Sequence, residues 1–239
     1  MPRMTARSVV LSVLLGAHPA WASAAELLRL TADFDIKETT LRVALTRMVG
    51  TGDLIRSDDG YRLSDRLLAR QRRQDAALHP ATCDWDGDWI TVVVTAVGVD
   101  ARTRAGMRTA LLHNRFAELR EGVWLRPDNL TEVLPSEIRG KARVLHSRDE
   151  APAQLAATLW DLPGWSNVGR RLLRDMDRAG SVPDRFTVAA AMVRHLLTDP
   201  VLPAQLLPPD WPADQLRQAY SDFAAMLVAR RSDDLLEVR

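Results

Sequence analysis

The stretch ETTLRVALTRMVGTGDLI, residues 38 to 55, decides the fold. Leu41, Ala44, Leu45, Met48 and Val49 recur at i, i+3, i+4, i+7 and i+8, the period of one buried helical face. Turning that helix by about 100° per residue puts Thr39, Thr40, Val43, Thr46 and Arg47 on the opposite side, with Arg42 on the flank and Lys37 near the start. The outward face is therefore small, polar and basic. Asp35 with Glu38 is expected to cap the helix. Gly50-Thr51-Gly52 stops it, Leu54-Ile55-Arg56 reads as a strand, Ser57 to Gly60 as a tight turn and Tyr61-Arg62-Leu63 as the returning strand.

Upstream, Ser23 and Glu26 form a Ser-x-x-Glu capping box that opens a helix running to about Asp33, with Ala24, Leu27 and Leu28 on one face. The first residues imitate an export signal: Arg3 and Arg7 precede the apolar run Ser8 to Ala17, and Ala22-Ser23-Ala24 resembles a cleavage site. The same letters also make an amphipathic helix, since Val9, Val10, Val13, Leu14 and Ala17 share a face and Gly16 and Pro19 end it. Its removal would strip a core partner from the next two helices. The reading adopted is a cytoplasmic protein with no membrane span, because no apolar run approaches ~20 residues.

Three helices followed by a hairpin are the pattern of a winged helix-turn-helix, in which the third helix enters the major groove of double-stranded DNA. Thr and Arg side chains suit base edges, and Arg56 and Arg62 suit the backbone phosphates. The expected DNA-binding set is Lys37, Thr39, Thr40, Arg42, Thr46, Arg47, Arg56 and Arg62. Across the whole chain, 32 Lys and Arg nearly cancel 31 Asp and Glu, leaving +1. Residues 1 to 78, however, carry 12 basic against 9 acidic residues, so the excess sits on the motif. The rival reading is a winged-helix unit that binds protein through a merely solvated face. Ser64 to Leu78 continues as a helix whose Arg66, Arg70, Arg72 and Arg73 either meet phosphates or form the wet side of a linker.

A second unit is expected over residues 79 to 150. Trp89 to Val97 is a β-branched run of the kind that fills a buried strand, and Asp100 can cap a helix from Ala101 to His113. Phe116 to Leu119 and Gly122 to Leu125 read as short strands about Glu121-Gly122, and Arg143 to His146 as a last strand. Strand, helix, two strands, helix, strand is a ferredoxin-like order. Residues 151 to 239 read as an all-α unit: Leu155 to Trp160, Gly169 to Ala179, Phe186 to Leu197 and Leu216 to Arg230 are separated by Pro163-Gly164, Pro183 and a proline-rich segment to Pro212. Trp160, Trp165 and Trp211 are candidates either for core or for the lining of an apolar pocket. The fold class is thus α+β in three parts, 1 to 78, 79 to 150 and 151 to 239.

Together with residues 38 to 55, the stretches WDGDW (85 to 89), RFAELREGVWLRPDNL (115 to 130) and DPVLPAQLLPPDWPADQLR (199 to 217) resemble the PaaX family, repressors of phenylacetic-acid catabolism and related pathways. The resemblance spans nearly the whole chain. It implies a dimeric repressor on a pseudo-palindromic DNA operator, released by an acyl-coenzyme A thioester such as phenylacetyl-coenzyme A. Phosphates of such an effector need basic partners, for which Arg102, Arg104, Arg108, Arg115 and Arg126 are the candidates. The family's middle domain is similar in fold to small nucleases of CRISPR systems, so a metal-dependent nuclease using Asp100 is the rival enzyme reading, against which helix capping is the simpler role.

Enzyme motifs are otherwise missing: the chain has no Gly-x-Ser-x-Gly, phosphate-loop, His-Glu-x-x-His or dinucleotide fingerprint. A single cysteine, Cys83, and five histidines dispersed at 18, 79, 113, 146 and 195 predict neither a disulfide framework nor a local metal site. No catalytic residue, metal or cofactor is expected.

Overall fold

A computed structural model describes residues 4–57, 59–96, 98, 100–131, 134 and 136–233 of the 239-residue chain. Two antiparallel sheets, each with its own helices, make an α+β protein in two compact units. One unit takes residues 1–78, 170–197 and 214–239; the other takes 79–169 and 198–213. Among the described residues no helix is long and apolar enough to cross a membrane.

In the first unit, α1 (Ala6–Leu15), α2 (Ala24–Ala32) and α3 (Glu38–Gly50) precede a hairpin of β2 (Leu54–Ser57) and β3 (Gly60–Leu63), then α4 (Asp65–Leu78). Val10, Leu14, Leu27, Leu41, Leu45, Met48, Leu54 and Leu63 close one core among them. Leu41, Leu45 and Met48 are the buried positions of α3, as their spacing predicts, while Ala44 and Val49 lie at its margin. The Ser23 box is complete: Glu26 N–H donates to Ser23 Oγ at 3.1 Å, and Ser23 N–H to Glu26 Oε2 at 2.8 Å.

Ahead of α2, Trp21–Ser23 forms a third strand, β1, on the free side of β3, giving the order β1-β3-β2. That strand explains Gly60. A Cβ there would lie 2.3 Å from the Ala22 carbonyl oxygen, so no side chain fits beside the added strand. The expected Asp35 cap of α3 is corrected: Lys37 occupies the N-cap without a side-chain bond, and Asp35 sits at φ 54 in the preceding turn.

Two buried polar groups fasten this unit. Asp53, its side chain 4% exposed, accepts from Arg7 of α1 at 2.8 Å and from Arg66 of α4, while its own backbone joins Met48 to Ser64. Burial alone would raise the Asp53 carboxyl, but the hydrogen bond and charge of Arg7, with Arg66 beside it, hold it below the ordinary 3.8. A lowered folded value means this contribution is present above pH ~4 and lost as pH falls through the folded value. Asp53→Asn is expected to cost about 1.5–3 kcal/mol at neutral pH. Urea titrations should also show that the wild type loses more stability than the variant below pH ~4.

The second group is Gln71 of α4, buried at 6% exposure, whose Nε2 donates to the carbonyls of Leu14, Leu15 and Ala17 at 3.3, 3.2 and 2.8 Å. It closes the C-terminal end of α1, whose last carbonyls have no partner within the helix.

Later helices complete the first unit. Phe186 of α9 (Val182–Leu196) stacks edge-on against Phe34 at 5.0 Å and against Phe223 of α10 (Ala213–Asp233) at 6.1 Å, around Val9. Arg217 Nε donates to the Ala77 carbonyl at 3.1 Å, tying α10 to the end of α4.

The other unit is built on β4 (Trp89–Val94), β5 (Ala117–Arg120), β6 (Val123–Pro127) and β7 (Ala142–Ser147), all antiparallel in the order β5-β6-β4-β7. Ile90 and Val92 face α5 (Ala101–His113) and α6 (Ser136–Arg139), packing on Met107, Leu111 and Ile138. Trp89 faces the other way with Leu125, against Ala156 of α7 (Pro152–Leu159), Leu162, Leu202 and Leu206. Apolar residues on both faces are what a doubly covered strand needs. β4 ends at Val94, three residues short of expectation; Val97 lies outside the described residues.

Prolines read as separators prove to be helix starts. α8 (Leu162–Arg178) begins ahead of Pro163-Gly164, and α9 carries Pro183 in its first turn. A missing N–H costs nothing there, because the first amides of a helix have no acceptor within it. The proline-rich run contributes a single 3-10 turn, Ala204–Leu206.

Candidate nucleic-acid interface

α3 presents Thr39, Thr40, Arg42, Val43, Thr46 and Arg47 to solvent, with Lys37 exposed just before it. Thr39, Thr40, Val43 and Arg47 line one shallow concavity of 640 Å³ with Arg7 of α1 and Thr5, which caps that helix. Val43 is half exposed, a methyl-bearing residue among hydroxyls and a guanidinium. That mixture matches the major-groove edge of bases, where thymine offers a methyl and guanine two acceptors.

The residues of this face are not equivalent. Arg42 is bound to Glu38 one turn earlier, Nη2 to Oε1 at 2.5 Å and Nε to Oε1 at 2.8 Å, so its charge is partly cancelled. Thr46 Oγ1 donates to the Arg42 carbonyl at 3.0 Å and keeps its lone pairs outward. Arg47 has no such partner among the described residues, and it is the guanidinium of α3 free to reach a ligand. Lys37 occupies an N-cap that Ser, Thr, Asp or Asn would serve better, beside the positive end of the helix dipole.

The two hairpin arginines are separated by the pleat. Arg62 pairs across the sheet with Ile55 and Trp21, whereas Arg56 pairs with Tyr61. Cross-strand partners share a face and neighbours along a strand alternate, so Arg56 and Arg62 project from opposite sides of the hairpin. Both are exposed, but they do not act as one patch. Arg66, one of the linker-helix arginines that could have met phosphates, is bound instead to Asp53, as is Arg7.

The five arginines considered for an effector lie in the other unit and serve different ends. Arg126 is buried in β6 with its guanidinium 5.1 Å from the Phe116 ring centre. Arg108 pairs with Glu118 and covers Trp124 at 5.1 Å, and Arg115 donates to the Asp199 carbonyl at 2.8 Å. Arg102 and Arg104 remain exposed on α5. Asp100 caps α5, accepting from Thr103 N–H at 2.7 Å, and that hydrogen bond lowers its carboxyl below the ordinary value. Among the described residues no three His, Cys, Asp or Glu side chains gather as a metal site. Trp160 stacks on Trp89 at 6.4 Å and Trp165 on Trp211 at 4.4 Å, while Trp160 and Trp165 also edge a surface cavity of 440 Å³.

No curated protein matches the chain. Three family models do: PaaX-like protein over residues 5–67, PaaX protein central Cas2-like domain over 82–149, and PaaX-like protein C-terminal domain over 165–237. Among solved structures, Uncharacterized protein Rv0674 from Mycobacterium tuberculosis is 67% identical with a TM-score of 0.85, the match covering 96% of this chain and 98% of that one. The three models follow one another in order along the sequence quoted at the outset and beyond it, and the chain belongs to the PaaX family of DNA-binding transcriptional regulators.

Proposed function

We propose that the chain is a cytoplasmic, non-catalytic repressor that binds a pseudo-palindromic operator as a homodimer. In this reading residues 1–78 are a winged helix-turn-helix domain, 79–150 a ferredoxin-like domain and 151–239 a helical C-terminal domain. α3 is the reading helix, with Lys37, Thr39, Thr40, Thr46 and Arg47 as its contacts and Arg42 in a lesser role. Arg56 and Arg62 serve separate strands of backbone. The observation that carries the proposal is the exposed row Thr39, Thr40, Val43 and Arg47 on a helix whose opposite face buries Leu41, Leu45 and Met48.

By family resemblance, an acyl-coenzyme A thioester such as phenylacetyl-coenzyme A releases the operator by favouring a DNA-incompetent form. Arg102 and Arg104, exposed on α5, are the arginines of the effector set best able to meet phosphates.

Fluorescence anisotropy of DNA upstream of the chain's own gene, at about 150 mM salt with unrelated DNA as control, tests the proposal. Specific binding reversed by phenylacetyl-coenzyme A is the expected result. Specific binding indifferent to the thioester removes that effector. A protein with no salt-dependent affinity for any DNA is instead an interaction module.

A further inference from the structure

The first unit holds a half-open cavity of 410 Å³ between the end of α1, α4, α9 and α10. Its floor is apolar, formed by Val13, Leu15, Phe186, Val193, Phe223 and Leu227. Its polar groups are few: Arg70, Gln74, Arg194 and Tyr220, with His18 and Glu26 at the edge. A mostly apolar hollow of this size with a small number of polar groups in its lining is the usual form of a small-molecule site, for which ~300–1,000 Å³ is typical.

The charges tell which molecule. Glu26 is already engaged by the Ser23 amide at 2.8 Å, and His18 faces Asp75 at 3.3 Å. Arg70 of α4 and Arg194 of α9 are exposed at the cavity, with no ion pair to either among the described residues, so against the one carboxylate of Glu26 the lining carries an excess of positive charge. The Gln74 side-chain oxygen is buried without a hydrogen-bond partner, although it belongs to an amide able to turn either end toward a ligand. Burial of Tyr220 raises its hydroxyl, which stays a proton donor throughout the physiological range.

We propose that this cavity binds a free organic carboxylate with an apolar body, its carboxylate held by Arg70 and Arg194 and its body laid on the Phe186–Phe223 floor. A guanidinium pair selects the anion, and the aromatic and aliphatic floor selects the tail. This site shares no residue with the DNA-facing row on α3 or with the arginines of α5. That its ligand regulates DNA binding rests on the repressor reading; the binding itself does not.

Decanoate is the probe, with decanol as its uncharged control, titrated calorimetrically into the full chain without DNA. One decanoate per chain with a Kd of about 1 mM or tighter is expected, and decanol about tenfold weaker, as loss of a charge-assisted contact requires. The double variant Arg70→Gln, Arg194→Gln should weaken decanoate about tenfold or more at an unchanged melting temperature, since neither side chain supports the fold. Ala190→Phe on α9 should fill the hollow and remove binding; if that variant fails to fold, the arginine pair alone decides. No decanoate binding, equal binding of decanol, or equal binding by the arginine variant overturns the site. Because DNA is absent, each of these outcomes is separate from failure of the operator reading.

Discussion

Arg47→Ala should lose about 1–3 kcal/mol of operator affinity, roughly 5- to 150-fold, if its guanidinium reads a base. It is the cation of α3 that no neighbouring carboxylate holds, and it stands in the concavity beside Thr39, Thr40 and Val43. A base-reading arginine and a phosphate-binding one leave different traces. Losing a base contact lowers affinity for the operator and much less for unrelated DNA, so the specificity ratio falls. Losing a phosphate contact weakens every sequence alike and reduces the slope of log affinity against log salt by about one. The first pattern is expected for Arg47→Ala, and the second, with a smaller loss, for Arg62→Ala in the hairpin. Arg42→Ala is expected to do least, because Glu38 already takes up its charge and that exposed pair contributes only ~0.3–0.5 kcal/mol to the helix. Anisotropy at several salt concentrations separates the three. Unchanged operator binding by Arg47→Ala removes it from the reading set.

The largest loss of stability is expected from a substitution that changes one atom's hydrogen-bonding sense. Gln71→Glu keeps the shape of the side chain but points an acceptor at the three carbonyls of Leu14, Leu15 and Ala17. An ionised carboxylate there is buried, repelled and without a donor, and about 3–5 kcal/mol is the cost of such an uncompensated buried charge. The folded state therefore favours the protonated acid, which can still donate one bond, and raises its pKa above the unfolded value of ~4.3. Stability is then highest below that value and is lost as pH rises toward the folded pKa. Melting curves of Gln71→Glu should approach those of the wild type near pH 4 and fall well below them at pH 8. Gln71→Leu, which removes the donor without adding charge, should cost about 2–3 kcal/mol with little dependence on pH. A Gln71→Glu protein as stable at pH 8 as the wild type would mean that the end of α1 does not depend on this side chain.

Local periodicity made α3 and the capping box of α2 legible, since each depends on residues within a turn of one another. β1 was not legible: three residues, Trp21–Ser23, carry no strand pattern of their own and exist because β3 offers an edge forty residues later. Asp35 failed as a cap because the chain turns through left-handed backbone there, which no side-chain spacing reveals. Pro163 and Pro183 were misleading for a simpler reason, as one residue type both ends helices and begins them.

The site divides along the same line. Exposure of the α3 row follows from the helical period alone. The opposition of Arg56 and Arg62 follows only from register, and the capture of Arg7 and Arg66 by Asp53 only from contacts many residues apart. The arginines of the middle region look alike in sequence, yet Arg126 is core, because β6 is covered on both faces.

Phe186 and Phe223 cover Val9 and Phe34 from the far end of the chain. A ribosome adding roughly 5–20 residues each second therefore holds the N-terminal helices with part of their apolar surface bare for on the order of ten seconds. During that interval the nascent chain is a substrate for chaperones and proteases, and a message cut short after α4 yields a product that never leaves that condition. Quality control of synthesis is thereby built into the order of the helices: the unit that carries α3 is finished only when α9 and α10 have been made.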